Sequence, residues 1–366
     1  MSKLLTSVGL MSGTSCDGID ASLIESDGEN KINLITNHYF PYEKNFKIEL
    51  IDLKKLINNT LDLKKFKKDI DQLENRITLY HHECIEELKL KIKTKKIDII
   101  GIHGHTIYHS KKEKISLQLL NAKLLKEKIK KNFIYNFRNN DIAAGGEGAP
   151  LVPIFHKALR HKLSLDLPAI FVNIGGISNI TYIDINENLI SFDCGPGNSL
   201  LDQYIQTQSG FNKLFDQDGE IACKHKYNEV ILETYLNNKF YQLDYPKSLD
   251  VNDFDISGVR GLKTGEAVAT LSELTVRSII RAVDDVKNQS KKIILCEGGR
   301  KNKYFLNRIE NLLKLPAIDI NQFNIDGDYI ESSAFAYLAI RSFQGKPITF
   351  PETTGVSKPL TGGYLF

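Results

Sequence analysis

The stretch GLMSGTSCDGID, residues 9–20, places small and hydroxyl-bearing residues between two short apolar runs. Apolar runs on both sides of a Gly/Ser/Thr turn predict a strand, a tight turn and a second strand. Working outward, the sequence predicts strands over 4–10, 19–26 and 32–40, followed by charged sequence of helical period from about 46 to 95. A buried-type strand, IDIIGIHG, comes next. This order predicts a mixed sheet covered by helices.

The same pattern returns in the middle of the chain as a weak internal repeat. Residues 168–198, PAIFVNIGGISNITYIDINENLISFDCGPGN, again place a glycine turn between two strands, and they add a third strand before a helix. Two halves of this kind would set two glycine turns face to face across a cleft. That arrangement is known from the superfamily of actin-like proteins, sugar kinases and chaperone ATPases, which serves here as a fold analogy.

By this analogy the fold class is α/β, with two actin-like (ribonuclease H-like) domains flanking an ATP cleft. The first domain is predicted to hold residues 1–140 and the C-terminal tail from about 345 to 366. The second domain is predicted to hold residues 141–344. At 366 residues, the length of the chain alone favours two domains.

Composition narrows the function classes. Lys and Arg number 48 against 45 Asp and Glu, and they are scattered through helical stretches, which favours solvated faces over a nucleic-acid surface. The five cysteines form no CxxC pair, which argues against a disulfide framework or a thiolate zinc site and for a reducing cytoplasm. No apolar run reaches the roughly 18 residues of a membrane helix. We therefore expect a cytoplasmic protein that binds neither nucleic acid nor membrane.

The first glycine turn has the residues of an anion site. Glycines let backbone N–H groups approach an anion, and the hydroxyls of Ser12, Thr14 and Ser15 can donate to phosphate oxygens. Asp17 can hold a magnesium ion or its waters. An ordinary hairpin turn is equally compatible with this stretch alone. The sequence contains no GxxxxGK[ST] or GxGxxG motif, which disfavours the P-loop and Rossmann alternatives.

Two further glycine turns follow in the second half. Gly175 and Gly176 in NIGGISN offer a matching phosphate contact, although such a turn is more often only a hairpin. Gly298 and Gly299 in CEGGRKN lie between a buried strand and a helix, where ligands gather in open α/β sheets, so backbone there could pack against adenine. Three glycine turns in this order favour ATP binding.

Several polar residues are candidates for chemistry. Asp193 follows a strand and precedes a Gly-Pro-Gly turn into a helix, a typical position for a catalytic carboxylate, but also for a turn or capping aspartate. Arg138 and Asp141 could clamp a substrate carboxylate or phosphate, or pair with each other. Glu331 opens a helix, where an acidic residue usually complements the helix dipole. The histidines of GIHGHTIYH invite a metal site, but ring hydrogen bonds at a strand end suffice to explain them.

Taken together, the motifs resemble the anhydro-N-acetylmuramic acid kinase family, in the family's order and over nearly the whole chain. The matching segments are GLMSGTSCDGID, GIHGHTIYH, FRNNDIAAGGEGAPLVP, NIGGISNIT, FDCGPGNSLLD, YPKS, ATLSELT, CEGGRKN, ESSAFAYLA and TGV. The resemblance implies an ATP-dependent kinase that converts 1,6-anhydro-N-acetylmuramic acid and water to N-acetylmuramic acid 6-phosphate and ADP, in peptidoglycan (murein) recycling. A small amino sugar is then the partner, and a homodimer is left open.

The resemblance also assigns roles to residues. It implies that Asp193 is the base that activates water, and that Arg138 and Glu331 bind the sugar, with Asp141 beside them. Magnesium would bridge the phosphates, with Asp17 as its candidate ligand. The residues implied to hold the ATP phosphates are Gly13, Thr14, Ser15, Cys16, Asp17, Gly18, Ile19 and Asp20.

The sequence departs from the family's pattern at several places, one of which is the segment SLQLLNA, which lacks a glycine-bearing turn. His105 and Glu147 each stand where glutamine is usual, Asn136 replaces an aspartate, and Cys194 replaces a threonine. The run Leu249-Asp250-Val251 stands where Thr-Gly-Arg usually follows Pro-Lys-Ser. Most of these changes fall in predicted substrate or domain-contact loops. Three alternatives therefore stay open: a kinase of another amino sugar, an ATP-independent glycoside hydrolase, and a non-catalytic nucleotide switch.

Overall fold

The computed structural model of the chain describes residues 3–13, 15–92, 95–210, 212–249, 253–286 and 289–366. The chain divides into two compact units. The first unit comprises residues 1–162 and 329–366, and the second comprises residues 163–328.

Strands and helices alternate along both units. In chain order the strands are β1 (Leu5–Ser12), β2 (Gly18–Ser26), β3 (Ile32–Pro41), β4 (Ile99–Ser110), β5 (Ile115–Leu119), β6 (Phe133–Tyr135), β7 (Ala169–Ile174), β8 (Ile177–Ile183), β9 (Leu189–Pro196), β10 (Ile293–Cys296), β11 (Ala317–Asp319) and β12 (Tyr364–Leu365). The α-helices are α1 (Lys44–Leu56), α2 (Thr60–Lys65), α3 (Lys67–Ile92), α4 (Ala122–Ile129), α5 (Asn139–Ala143), α6 (Pro153–Lys162), α7 (Ser199–Gln208), α8 (Glu220–Lys224), α9 (Glu229–Leu236), α10 (Thr264–Asp285), α11 (Lys303–Leu313), α12 (Ile330–Phe343) and α13 (Pro351–Thr354). Short 3₁₀ turns lie at Gln217–Gly219, Lys239–Gln242, Ser257–Val259, Gly298–Lys301, Ile320–Phe323 and Gly327–Tyr329.

The two sheets share one strand order. The sheet of the first unit runs β12-β6-β4-β1-β2-β3, with β5 paired to β4, and that of the second unit runs β11-β10-β7-β8-β9. In each sheet three consecutive strands form an antiparallel meander, namely β1–β2–β3 and β7–β8–β9. The next strands add in parallel on the other side of the first. The predicted α/β class and the internal repeat are confirmed, and this order is that of ribonuclease H-like domains.

Helix α12 comes from the C-terminal part of the chain but packs on the sheet of the first unit. Nearly every residue of α12 is buried, because its apolar surface lies directly on the sheet. A Cβ atom added to Gly9 would lie 2.0 Å from the carbonyl oxygen of Ser332, and one on Gly101 would lie 2.3 Å from that of Phe335. The backbones of helix and strands therefore touch at positions that only glycine can fill.

The units differ from the predicted domain boundaries. Residues 141–162 and 329–344, which the sequence grouped with the second half, lie in the first unit. Helix α6 packs there through Phe155, whose ring lies 5.7 Å from that of Tyr337. A contact of this kind joins parts of the chain far apart in sequence, so local patterns did not reveal it.

We expect Gly101→Ala to destabilise the first unit, since the added methyl would meet the carbonyl of Phe335. Overpacking of this kind costs about 1–3 kcal/mol of the free energy of unfolding. Thermal and urea unfolding of the full chain measure the effect. Gly261→Ala is the matched control, because a Cβ there meets no atom within 4 Å. Equal stability of the two variants would contradict the close contact.

Candidate functional site

Hydrogen bonds fix the described residues of the turn between β1 and β2. Cys16 adopts a left-handed backbone conformation with φ of 54°, and its N–H donates to the carbonyl of Gly13 over 3.2 Å. The carbonyl of Asp17 accepts bonds from the N–H of Tyr42 and the hydroxyl of Tyr39, both at 2.9 Å. The Asp17 side chain is exposed. Thr14, the remaining predicted phosphate contact of this turn, lies outside the described residues.

A series of buried polar side chains, linked by hydrogen bonds, contacts this turn. The hydroxyl of Tyr42 donates to Ser12 over 2.8 Å, and the Ser12 hydroxyl lies 3.0 Å from Nδ1 of His105. Nε2 of His105 lies 3.7 Å from the sulfur of Cys16. Burial lowers the pKa of His105 to about 3, so its ring is neutral and serves as acceptor on one side and donor on the other. Ser12, an expected phosphate donor, is instead committed to this series.

Two hydrogen-bond acceptors of the first unit orient the guanidinium of Arg138. Its Nε–H donates to Nε2 of His103 over 3.0 Å, and Nη1 donates to the carbonyl of Gly148 over 2.9 Å. Nδ1 of His103 donates to the carbonyl of Gly104 over 2.9 Å, which leaves Nε2 as the acceptor. Burial and the charge of Arg138 lower the pKa of His103 well below its ordinary value. A neutral histidine therefore orients the guanidinium.

Asp141 holds the loop that contains Gly148, whose carbonyl accepts a hydrogen bond from Arg138. It is buried, Oδ1 accepts the N–H of Gly148 at 2.7 Å, and Oδ2 accepts the hydroxyl of Thr354 at 2.5 Å. Both carboxylate oxygens are thus engaged within the protein. This geometry gives Asp141 a structural part, where the sequence suggested contact with substrate.

Glu331 lies in the first turn of α12 and is half-buried. Burial raises the pKa of its carboxyl, and the nearby Arg138 guanidinium opposes that rise. The first unit therefore brings Arg138 near Glu331, and their place in a sugar site stays a prediction. A cation and an acid of this kind can together orient polar groups of a small molecule.

Three departures from the family's pattern fit the structure around this site. Asn136 has φ of 58°, a left-handed conformation that both asparagine and aspartate tolerate. Glu147 is buried and forms an ion pair with Lys111, and its N–H donates to the carbonyl of Thr354 over 2.7 Å. His105 fills the position between Ser12 and the turn. In the described residues, no group of three or more His, Cys, Asp or Glu side chains could hold a metal ion.

Asp193 lies in β9, the edge strand of the second sheet, and is buried. Its N–H donates to the carbonyl of Lys247 over 2.9 Å, and its Oδ2 accepts the N–H of Leu249 at 2.8 Å. The segment after the Tyr245–Pro246 bond therefore runs along β9 and binds both the backbone and the side chain of Asp193. The carboxylate is held in one orientation.

The second and third glycine turns lie side by side in the second unit. The carbonyls of Gly175 and Gly176 accept N–H bonds of 2.8 to 3.1 Å from residues 197–199, where α7 begins. A Cβ on Gly299 would lie 2.3 Å from Cγ2 of Ile174, the residue directly before the second turn. A Cβ on Gly298 would meet no atom within 4 Å. Gly298 therefore has open space beside it, next to a turn whose carbonyls are hydrogen-bonded.

Comparison with known proteins settles the family. The family model described as anhydro-N-acetylmuramic acid kinase matches residues 5–366. The anhydro-N-acetylmuramic acid kinase of Pelagibacter ubique (strain HTCC1062) is 43% identical, covering 100% of this chain and 99% of that protein. The chain belongs to the anhydro-N-acetylmuramic acid kinase family. The enzyme of that name from Agrobacterium fabrum (strain C58) is 35% identical with the same coverage.

The family predicted from the motifs is confirmed, and the chain is an enzyme of the kinase class.

Among solved structures, component A of (R)-2-hydroxyglutaryl-CoA dehydratase from Acidaminococcus fermentans is similar with a TM-score of 0.47. It is 11% identical, and the match covers 92% of this chain and 98% of that one. No helix in the described ranges is long and apolar enough to cross a membrane.

Sequence reasoning missed the residues that hold the functional groups. The motif GIHGHTIYH suggests a metal site or ring hydrogen bonds at a strand end, but not the partners of those bonds: His103 orients Arg138, and His105 contacts Ser12 beside the first glycine turn. The motif YPKS was matched without a role, although Lys247 bonds the backbone of Asp193. In each case the sequence does show a polar residue near the end of a strand. No side chain close to it in sequence explains this residue, which could have indicated a partner from elsewhere in the fold.

We expect His105→Ala to weaken nucleotide binding by about fivefold, because the turn loses a buried hydrogen-bonded support worth about 1 kcal/mol. His105→Gln should bind nucleotide as the parent does, since its amide supplies both an acceptor and a donor. The dissociation constant measured with a fluorescent nucleotide analogue tests both variants. His156→Ala controls for loss of a buried histidine elsewhere in the same unit. The support is disproved if His105→Ala binds nucleotide normally.

Proposed function

We propose that the chain uses ATP and water to convert 1,6-anhydro-N-acetylmuramic acid to N-acetylmuramic acid 6-phosphate and ADP, a step of peptidoglycan recycling. The observation that carries the proposal is the Asp193 carboxylate, buried at a strand edge and oriented by the N–H of Leu249, in a chain of this family. A general base needs such a fixed orientation toward the proton that it takes.

The chemistry explains why a base is needed. In the anhydro sugar O6 is bonded to C1, so O6 has no proton to lose as an ordinary kinase acceptor does. Asp193 would take a proton from water while the water oxygen bonds to C1 and the C1–O6 bond breaks. The electrons of that bond leave O6 able to attack the γ-phosphorus, and the bond from that phosphorus to ADP breaks. Ring opening and phosphoryl transfer are thus coupled through one oxygen.

The sugar site is assigned to the first unit. The Arg138 guanidinium, oriented by His103 and Gly148, would bind the carboxylate of the muramic acid, since such pairs form strong charge-assisted hydrogen bonds. Glu331 would bind a polar group of the same sugar. Asp141 keeps a positioning role, because its two oxygens hold Gly148 and Thr354.

The ATP site is assigned to the three glycine turns. The first turn, with Gly13, Ser15 and the backbone to Asp20, would bind phosphates, and Gly175-Gly176 would also bind phosphate through backbone groups. The open backbone at Gly298 would lie against adenine. Each of these turns presents backbone at a strand end, where anions and nucleotides bind in α/β sheets.

Magnesium fits the residues of the first turn. Mg²⁺ is usually held by one or two carboxylates together with phosphate oxygens and waters, and Asp17 supplies one exposed carboxylate beside the turn. When bound, the ion would neutralise charge on the phosphates. Within the protein, the Ser15 hydroxyl donates to Oδ1 of Asp17 over 2.5 Å and holds that carboxylate at the turn.

The state of the cysteines supports a cytoplasmic setting. All five lie in the described residues, and none forms a disulfide. Unbridged thiols are typical of a reducing compartment, so we place the enzyme in the cytoplasm.

Asp193→Asn should reduce sugar-dependent ADP release at least about 100-fold, because the amide cannot accept the water proton. Nucleotide affinity should stay within about twofold, since the amide oxygen can still accept the N–H of Leu249. A coupled ADP assay and nucleotide titration measure the two quantities, and Asp166→Asn, an exposed aspartate of the same unit, is the control. Near parental turnover of Asp193→Asn would refute the proposed base. Product formation without nucleotide would favour a glycoside hydrolase.

A further inference from the structure

A segment outside β9 holds Asp193 in place, and one side chain holds that segment. Residues 245–249, here called the strap, run beside the edge strand of the second sheet. The carbonyl of Lys247 accepts the N–H of Asp193 at 2.9 Å, and the N–H of Leu249 donates to the Asp193 carboxylate over 2.8 Å. The orientation of the carboxylate therefore depends on where the strap lies.

The strap is fixed from the core side through Lys247. Its side chain is only 5% exposed, and its ammonium lies 5.5 Å from the ring centre of Phe192 and 5.3 Å from that of Phe240. The ammonium donates to the carbonyl of Leu243 over 3.1 Å. A cation between two aromatic faces is attracted by both rings, and this attraction strengthens when water is excluded.

Phe192 connects the two faces of the strand. It directly precedes Asp193, and successive side chains of a strand point to opposite faces, so Phe192 enters the core where Lys247 meets it. The ring of Tyr245 stacks on Phe192 at 5.0 Å with an interplanar angle of 9°. The strap thus contacts the strand in two ways. Lys247 and Tyr245 contact the ring of Phe192, and the backbone of residues 247 and 249 forms hydrogen bonds with Asp193.

The charge of Lys247 has a further neighbour. Its Nζ lies 3.7 Å from Oδ2 of Asp285, a half-exposed residue at the end of α10. A cavity of about 260 Å³ adjoins this pair, and Lys247 and Asp285 are among the residues that line it. Because Lys247 lines this cavity, a longer cation such as arginine can extend toward it.

We infer that Lys247 is the positioning residue for Asp193, its ammonium locking the strap that orients the carboxylate. This inference rests on the proposed role of Asp193 as the base. Lys247 does not contact the reacting atoms. It acts by keeping the carbonyl of residue 247 and the N–H of residue 249 at the strand edge. Small errors in the placement of a catalytic group lower the rate while leaving the binding of distant groups unchanged.

Lys247→Met tests this role, because methionine keeps the length and packing of the side chain and removes the charge. We expect kcat to fall about 30-fold, within the range that misplacement of a catalytic group produces, with the KM for ATP within about twofold of the parent. Lys247→Arg should recover kcat to within about threefold, since a guanidinium also binds aromatic faces and carbonyls. Lys292→Met is the control, because Lys292 lies 6.0 Å from the ring of Phe323 in the same unit and has no bond to the strap.

A second measurement reports on the strap without turnover. Amide hydrogen exchange of the peptide containing Leu249 should quicken in Lys247→Met and stay slow in Lys247→Arg and Lys292→Met. Parental kcat together with parental exchange in Lys247→Met would overturn the inference. Equal losses of kcat in the Met and Arg variants would also overturn it, because they would show that general packing and not the cation is required. Absence of sugar-dependent ADP release from the parent enzyme would instead refute the proposed function, and the exchange data would still decide the role of Lys247.

Discussion

Direct packing of backbone on backbone is the constraint on which both units depend. In the first unit α12 lies on β1 and β4 with no side chain between them at Gly9 and Gly101. In the second unit a Cβ on Gly197 would lie 2.3 Å from the carbonyl of Gly175, so the start of α7 rests on the second glycine turn. Contacts this close align backbone groups for hydrogen bonding. The second glycine turn is therefore packed directly against the backbone that leads into α7.

Two charged groups of the candidate site, Arg138 and Asp193, are oriented by backbone groups and by a neutral histidine. Arg138 donates to His103 and to a carbonyl, and Asp193 accepts from the strap. Neutral histidines suit this work because burial disfavours their charged form, so they orient a cation without repelling it. Groups that are oriented before the substrate arrives need not reorganise during the reaction. Such preorganised positioning and charge stabilisation are the main source of catalysis in phosphoryl transfer.

Local patterns predicted much of this fold. The first strands fall within a few residues of their predicted bounds, since a glycine turn between apolar runs has few other solutions. The family followed from the order of many short motifs. The place of α12 did not follow, because a helix buried on all sides shows no amphipathic face to indicate its partner. Asp141 was likewise read as a ligand residue, since nothing near it in sequence shows that Thr354 would occupy its carboxylate.

The central claim is that one carboxylate activates water while the sugar's own bridging oxygen receives the phosphoryl group. The most direct measurement is mass spectrometry of the product formed in ¹⁸O water with ATP and the anhydro sugar, quenched before the anomeric oxygen can exchange. The account predicts one ¹⁸O at C1 and an unlabelled phosphate on O6. A phosphorylated product with no label at C1, or with label in the phosphate, would contradict it.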